Sequence, residues 1–523
     1  MKFCHKGLFI LLSNTVLLKA FAHSHDIKVN QLQTQCKDGK DPIYVLDQDS
    51  LTGIGHGSHN YDTVCPEDIP KAQTKFKRSR REKFKVKIDY QDGERHNFEN
   101  EKPDIESMEK VDRSNFLSYS KNKILVNNTA DFDLDEEPIT VSSAFDIQFY
   151  CSETPNICEK AKNTFERATQ KIAIALKIKT PIIVQASLYS FCKIKGDSYC
   201  NNSSSIGSAA ASAYHILNNN GTKYLYPQPL VKQMDDVGIY LSTDITSDFN
   251  SDYSFYFSGD NIIEDGQIDF EYVVIHELIH GLGFATAFQK YFSLVAKVID
   301  DQDFLSPGLS LINNTYVSNW RSIQIFDKNV FSTENNISLN DYNKDIIQFT
   351  TPSGILSPLE YHNEFIRSEK PYKAAKHLLD VASNKTGSLV FHTSSGDDIV
   401  LYTKNNEFLQ GTSIAHLSDD YKYTPDFIMI SDVSPLQGRT LNSMYWEYGN
   451  NNPYGAIGPS VLKILKEIGW DIADEPQNIE KFYSRSIVGN VEGTSDAYRL
   501  TIIGINSIIL LLISIVLGYI YIN

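Results

Sequence analysis

The segment from Tyr272 to Phe284 contains two histidines and a glutamate in the pattern His276-Glu277-x-x-His280. Residues four apart lie on one face of an α-helix, so both imidazoles can point at one ion at the Zn–N distance of about 2 Å. Glu277 adjoins the first histidine and can act as a general base toward a metal-activated water. This spacing predicts a hydrolytic Zn²⁺ site with His276 and His280 as ligands and Glu277 as the catalytic base.

The residues around this pattern predict that it lies on a buried helix. Apolar side chains occupy most other positions of the segment. Two histidines and a carboxylate would be costly in such a helix without a partner, and a metal ion is a suitable one. Gly281 and Gly283 are poor helix formers and predict that the helix ends just past the second histidine.

The third metal ligand must come from a distant part of the chain. Histidines follow the helix at His362, His377, His392 and His416. His416 has the most suitable surroundings, because the small residues at 411–415 predict a loop that can carry a ligand to the helix. If the third ligand is instead a carboxylate, Glu360 and Glu364 are the candidates.

A short apolar segment, Phe427-Ile428-Met429-Ile430, follows His416. A methionine beneath a histidine-bound zinc marks the Met-turn, so Met429 is predicted to be the Met-turn residue.

Four segments of the chain together resemble the leishmanolysin-like metallopeptidases, which are secreted or GPI-anchored metzincins. These segments are His276–Phe284, Gly411–Leu417, Asp426–Met429 and Ile457–Trp470. The resemblance implies an α+β, metzincin-like zincin fold with a twisted mixed sheet, a zinc helix and a C-terminal subdomain with the Met-turn. It also implies that Zn²⁺ is held by His276, His280 and His416, with Glu277 as the base.

Composition narrows the classes of partner. The chain has 523 residues and a net charge of −16. Phosphate contacts need basic surface, so the acidic balance argues against a nucleic-acid partner and leaves protein or peptide substrates. Long apolar runs occur only at the two ends of the chain, which argues against a multi-span membrane protein.

Both ends of the chain predict export to the cell surface. Residues 1–22 have the charged flank, short apolar core and Ala-x-Ala site of a cleaved signal peptide. Residues 501–523 form an apolar tail after a polar stalk at 476–500. This tail predicts a GPI-anchor signal, with a retained membrane span as the alternative. We therefore expect a protein that is membrane-anchored or extracellular. Its seven Asn-x-Ser/Thr sequences predict that it is a glycoprotein.

The basic run at 78–81 resembles a site cut by furin-like processing proteases. Cleavage there predicts a zymogen with a propeptide at 23–81, which contains Cys36 and Cys65. These two cysteines either form a disulfide or supply a thiolate to the zinc. The remaining cysteines of the exported chain are Cys151, Cys158, Cys192 and Cys200. Export favours disulfides among them, with the connectivity left open.

Periodic patterns place further elements around the predicted zinc helix. Residues 159–176 have the apolar spacing of a helix, and 182–188 are typical of a strand. A last helix is predicted at 461–468, between Pro459 and Gly469.

The predicted organisation is an N-terminal catalytic subdomain, an insertion and a C-terminal catalytic subdomain, at 82–288, 289–410 and 411–475. We predict from these features that the protein is a cell-surface zinc metalloendopeptidase, which cleaves peptide bonds with a zinc-activated water. The alternative is a GPI-anchored adhesin or wall protein on an inactive metzincin scaffold, in which the metal only stabilises the fold.

Overall fold

The computed structural model describes residues 36, 41–46, 61–70, 73, 144–196, 205–234, 238–292, 304–312, 316–351 and 356–476. The predicted signal peptide, processing site and hydrophobic tail lie outside these residues, as does almost all of the predicted stalk. Within the described residues, no helix combines the length and apolar character needed to span a bilayer.

Helices and strands are mixed along the described chain, and the α+β class predicted from the sequence is confirmed. The helices are α1 (Pro155–Ala175), α2 (Phe191–Lys195), α3 (Gln228–Val231), α4 (Phe270–Gly281), α5 (Leu339–Ile346), α6 (Pro358–Phe365), α7 (Glu369–Asn384), α8 (Leu441–Tyr448) and α9 (Pro459–Ile468). The strands are β1 (Ile43–Leu46), β2 (Tyr61–Val64), β3 (Phe145–Cys151), β4 (Ile182–Tyr189), β5 (Gly207–Ala211), β6 (Ala213–Asn219), β7 (Thr222–Pro227), β8 (Ile245–Asn250), β9 (Phe255–Tyr256), β10 (Ile268–Asp269), β11 (Leu309–Ile312), β12 (Tyr316–Trp320), β13 (Val330–Ser332), β14 (Leu389–His392) and β15 (Asp398–Val400).

A four-stranded mixed sheet lies beside α4, the helix that carries the two histidines. Its strand order is β3-β4-β8-β5, in which β3, β4 and β8 are parallel. Strand β5 pairs antiparallel with β8 and forms the edge of the sheet. Helix α4 packs against α1 on one side and against β5 and β8 on the other. The sheet edge that contacts α4 is therefore an antiparallel strand.

The sequence patterns around this sheet predicted its elements closely. Helix α1 begins four residues before the predicted bound, because Pro155 fits its first turn, where a backbone donor is not needed. Its apolar face includes Phe165, which packs edge-to-face on Phe249 of β8 at a centroid distance of 5.2 Å. Strand β4 runs one residue past its prediction, and α9 begins at Pro459 and stops before Gly469 as expected.

A second four-stranded sheet, in the order β2-β1-β6-β7, includes strands from the predicted propeptide. Strands β5 and β6 are separated only by Ser212, whose carbonyl accepts from the Leu46 amide at 2.9 Å. Every residue of β1 is buried. Tyr44 also hydrogen-bonds Ser310 at 3.0 Å, and Arg321 donates to the Tyr61 carbonyl. The N-terminal segment is thus part of the packed fold.

Two disulfides join pairs of described cysteines, one between Cys36 and Cys65 and one between Cys151 and Cys158. Cys36 and Cys65 therefore form the predicted disulfide, and neither supplies a thiolate to the histidine cluster. Cys192 is also disulfide-bonded, and Cys200 lies outside the described residues.

The predicted insertion contains strands β11–β15 and helices α5–α7. Its apolar side chains join the same hydrophobic core as α1, α4 and α9. An aromatic cluster near α6 includes Phe292, Phe304 and Phe365, and His362 stacks on Phe304 there at 5.7 Å. His362 is therefore a core residue of the insertion.

We expect cleavage at 78–81 to leave the N-terminal segment bound. Burial of each large apolar side chain of β1 contributes about 1.5–3 kcal/mol, and the Cys36–Cys65 disulfide lies wholly within the segment. Size-exclusion chromatography of the cleaved protein should show both pieces eluting together. Val45→Asp, which buries a charge, should release the segment, whereas Thr63→Asp on the exposed face of β2 should not. Loss of the wild-type segment would contradict this expectation.

Candidate metal centre

Helix α4 holds the predicted ligands in the core, and all twelve of its residues are buried. Asp269 caps its first turn by accepting from the Glu271 amide at 2.9 Å. The second carboxylate oxygen of Asp269 accepts from the Leu441 amide at 2.7 Å, which joins α4 to the start of α8. Burial raises the pKa of Asp269 to about 6. The start of α4 is therefore fixed to the C-terminal part of the chain.

The structure brings His276, His280 and His416 together at one point. Their Nε2 atoms are separated by 3.2 Å between His276 and His280, 3.2 Å between His276 and His416, and 3.3 Å between His280 and His416. All three side chains are buried. Among the described residues, this is the group of histidine, cysteine or acidic side chains whose geometry suits a metal ion.

A backbone carbonyl orients each of the three imidazoles. The Nδ1 atoms lie 2.7 Å from the Ile428 oxygen for His276, 2.7 Å from the Phe284 oxygen for His280 and 3.0 Å from the Thr412 oxygen for His416. A carbonyl only accepts, so each Nδ1 donates its proton and a neutral ring turns the Nε2 lone pair toward the other two. Such outer partners are usual for histidines that bind metals.

This arrangement fits zinc. Tetrahedral zinc with Zn–N distances of about 2.0–2.1 Å keeps its nitrogen ligands about 3.3–3.4 Å apart, and the three Nε2 separations lie within about 0.2 Å of that range. Three converging lone pairs repel each other unless a cation or a proton lies between them. Three histidines leave one position of a tetrahedral ion open, as in catalytic rather than structural sites.

An irregular loop positions His416, as its small residues predicted. Ile414 has a φ of 72°, which is unusual for a β-branched residue, and its amide donates to the Tyr402 carbonyl at 2.9 Å. The Tyr402 amide in turn donates to the His416 carbonyl at 2.8 Å. Strained backbone of this kind persists where the surrounding structure imposes it, which is common at functional sites.

Glu277 lies beside the histidines on α4 and is buried, with 2% of its surface exposed. The edge strand β5 passes close to it, since a Cβ atom at Gly207 would lie 3.3 Å from the Glu277 Oε1 atom. Glycine at 207 therefore allows β5 to approach the carboxylate directly.

Met429 lies in a buried 3₁₀ turn at Phe427–Met429. The turn is bound to α4 twice, because Ile428 orients His276 and the Phe427 carbonyl accepts from the Tyr272 hydroxyl at 3.1 Å. It is also bound to the ligand loop, because the Met429 carbonyl accepts from the Leu417 amide at 2.9 Å. The turn thus links two ligand-bearing segments.

The C-terminal end of α4 is closed by glycines and by the last tryptophan. A Cβ at Gly281 would lie 2.5 Å from Ile245, so only glycine allows this contact with β8. Gly283 has a φ of 113° and ends the helix as predicted. The Trp470 indole N–H donates to the Leu282 carbonyl at 2.9 Å, which satisfies a helix-end acceptor.

Asp327 fixes the loop that follows α4. It accepts from the Thr286 hydroxyl at 2.6 Å and from the amides of Ala287 and Gln324 at 2.9 and 3.1 Å. Burial raises the pKa of Asp327 to about 7. Thr286 stands where a longer histidine motif would place its third ligand, and its hydroxyl has this structural partner instead.

The other candidate ligands lie away from the triad. Glu360 closes the capping box of α6 with Ser357, and Glu364 forms an exposed ion pair with Arg367. His377 contacts the Tyr342 hydroxyl at 3.4 Å, and His392 interacts with Asp398. None of them belongs to the histidine cluster, so the carboxylate alternative for the third ligand is not adopted by the described residues.

Several features of the site could not be predicted from the residue types in the sequence. The three orienting acceptors are backbone carbonyls, which any residue type can supply. Asp327 lies far from the motif in sequence, and an isolated aspartate indicates nothing about its partners. Gly207 could be identified only after β5 was placed beside Glu277.

Comparison with known proteins identifies relatives but no activity. The family model described as SPBPB7E8-like matches residues 96–486. A curated relative, uncharacterized protein PB7E8.01 from Schizosaccharomyces pombe, is 25% identical over 398 residues. That alignment covers 66% of this chain and 66% of the relative, slightly under two thirds of each. No solved structure matches the chain.

Replacing His416 by Ala should lower bound zinc by more than about tenfold, because two histidines on one helix cannot complete the coordination. Zinc content after dialysis, measured by mass spectrometry, checks this. Glu364→Gln is the matched control, since its carboxylate is exposed and should not affect zinc. Unchanged zinc in His416→Ala would exclude His416 as a ligand.

The raised pKa of Asp327 predicts a pH-dependent stability. A carboxyl group whose pKa is raised on folding stabilises the fold at low pH, and this contribution is lost as the pH rises from about 4 to about 7. The amide of Asp327→Asn does not ionise, so this variant should not show that loss. Between pH about 4 and about 7, its unfolding free energy should rise relative to wild type by up to about 1.4 kcal/mol per pH unit.

Urea unfolding of both metal-free proteins at several pH values between about 4 and 8 measures this difference. The exposed Asp380→Asn variant is the control and should follow the wild type. A difference in unfolding free energy between Asp327→Asn and wild type that stays constant with pH would contradict the prediction.

Proposed function

We propose that this chain, which belongs to the SPBPB7E8-like family, is a zinc-dependent metalloendopeptidase with a metzincin-like catalytic domain. The observation that carries the proposal is the convergence of the Nε2 atoms of His276, His280 and His416 at 3.2–3.3 Å from one another, next to a buried glutamate. Three neutral imidazoles and one open position are the ligand set of a hydrolytic zinc centre.

Bound zinc supplies Lewis-acid chemistry, which polarises water and the scissile carbonyl. Glu277 takes a proton from the attacking water through its carboxylate and passes it to the nitrogen of the leaving amine. The three orienting carbonyls fix the direction of each imidazole and hold the tautomer in which Nε2 is left for the metal, so the site does not need to reorganise during the reaction.

Strand β5 supports a peptide as the substrate. It is the edge strand of the mixed sheet and passes directly beside Glu277 at Gly207. An extended peptide can add to such an edge through main-chain hydrogen bonds, which places a scissile bond near the base whatever its side chains. Side-chain pockets would then set the cleavage preference.

The arrangement of segments supports the metzincin-like interpretation within the zincins. A third histidine reaches the helix after a long insertion. A buried turn contains both Met429 and its neighbour Ile428, whose carbonyl orients His276. The Gly469-Trp470 end of α9 closes on the C-terminus of the zinc helix. In this proposal Met429 is the Met-turn residue.

The predicted signal peptide, processing site and apolar tail support a cell-surface zymogen held by a GPI anchor, with a retained membrane span as the alternative. Those segments lie outside the described residues, so this part of the proposal depends on the sequence alone.

Glu277→Gln should lower the rate of peptide hydrolysis by a factor of about 10²–10⁴, because the amide cannot accept the proton. Zinc binding should be retained. A fluorogenic casein digest and zinc analysis of the same samples measure both properties. Glu364→Gln, an exposed change of the same chemistry, should keep both.

Two outcomes would contradict the proposal. Undiminished hydrolysis by Glu277→Gln would exclude Glu277 as the base. A wild-type protein that binds zinc but digests no protein, both before and after cleavage at 78–81, would favour the inactive surface-protein alternative.

A further inference from the structure

A cavity of about 500 Å³ opens beside the C-terminal end of α8, in a region that the proposed catalysis does not use. Its volume is in the range of sites that hold small ligands. Residues that line it include Tyr423, Pro425, Tyr445, Trp446, Tyr448 and Asn450. The residues come from two segments, the end of α8 with the turn after it and the stretch that precedes the Phe427–Met429 turn.

Two of the aromatic residues that line the cavity are unusually exposed. Trp446 is 80% exposed and Tyr423 is 63% exposed, whereas the other two tryptophans, Trp320 and Trp470, are buried. Exposed aromatic groups that lie together mark binding sites more often than isolated ones do. The Tyr423 ring lies 5.2 Å from that of Tyr448, so the wall is a cluster.

Local contacts hold the Tyr445 ring and the backbone turn that follows α8. The Tyr445 hydroxyl donates to the Asn452 carbonyl at 3.0 Å, and Tyr445 lies 6.0 Å from the Trp446 ring. A Cβ at Gly449 would lie 2.4 Å from Tyr445, so only glycine allows the chain to turn here. Asn450 and Asn451 follow with φ values of 48° and 58°, which asparagine tolerates.

The charges at the cavity cancel. Glu447, its acidic lining residue, forms an ion pair with Arg439 at 2.9 Å. Arg439 also donates to the Tyr448 hydroxyl and lies over its ring at 5.3 Å. A cationic ligand would compete with Arg439 for the carboxylate, and an anionic ligand would meet that carboxylate. The cavity therefore favours an uncharged ligand.

We propose that this cavity binds a neutral oligosaccharide. Sugar rings have apolar C–H faces that pack on aromatic rings such as Trp446, and their hydroxyls both donate and accept hydrogen bonds. The amides of Asn450 and Asn451 offer both donors and acceptors, and so match the hydroxyls. A proline-rich peptide also packs on aromatic grooves, but it offers mainly acceptors and would give the amide oxygens of Asn450 and Asn451 no donors.

Calorimetric titration of the full-length protein with laminarihexaose, mannohexaose and chitohexaose tests the proposal, with decaproline as the competing ligand. At least one hexasaccharide should bind, and Trp446→Ala should weaken its affinity by tenfold or more. Asn442→Ala is the matched control, because Asn442 is exposed on α8 but does not line the cavity. Zinc content and peptide hydrolysis should be unchanged in both variants, which separates this site from the metal centre.

Tryptophan fluorescence provides a second measurement, because Trp446 is the exposed member of the three tryptophans. The bound sugar should shift the emission to shorter wavelength, and Trp446→Phe should lose the shift. The proposal is overturned if none of the three sugars binds at about 10 mM, where a Kd of about 1 mM would be evident. Binding that Trp446→Ala leaves unchanged, or binding of decaproline alone, would also overturn it.

Discussion

The orientation of three imidazole rings is the constraint on which the rest of the site depends. Each Nδ1 donates to a backbone carbonyl, and the carbonyls of residues 284, 412 and 428 come from three separate segments. The lone pairs at Nε2 can meet at one point only if all three segments keep their positions. The site therefore forms only when the whole domain is packed, although His276 and His280 lie on the same helix.

Much of the surrounding structure joins these segments. The Phe427–Met429 turn binds both α4 and the loop that carries His416. Asp426, one residue before the turn, accepts from the Ser460 amide at 2.7 Å and so caps α9, while Trp470 at the other end of α9 donates to the end of α4. The C-terminal part of the chain thus holds the histidine cluster from two sides. Strand β5 completes it by passing beside Glu277.

The sequence predicted the parts that depend on local pattern. His276, Glu277 and His280 followed from helical spacing, and α1, β4 and α9 followed from apolar periodicity and from proline and glycine at their ends. His416 could be chosen over Glu360 only by its loop context and by the family resemblance, because no sequence rule gives a distance between segments 135 residues apart. The orienting carbonyls, the Gly207 approach and the strands contributed by the N-terminal segment depend on tertiary packing and left no such pattern.

Zinc X-ray absorption spectroscopy of the metal-loaded full-length protein measures the ligands of the bound ion directly. If the three histidines hold the ion, the first shell contains three imidazole nitrogens at about 2.0–2.1 Å and one further light atom, with no sulfur. A sulfur shell at about 2.3 Å, or a shell with fewer than three imidazoles, would contradict the histidine triad as the metal centre.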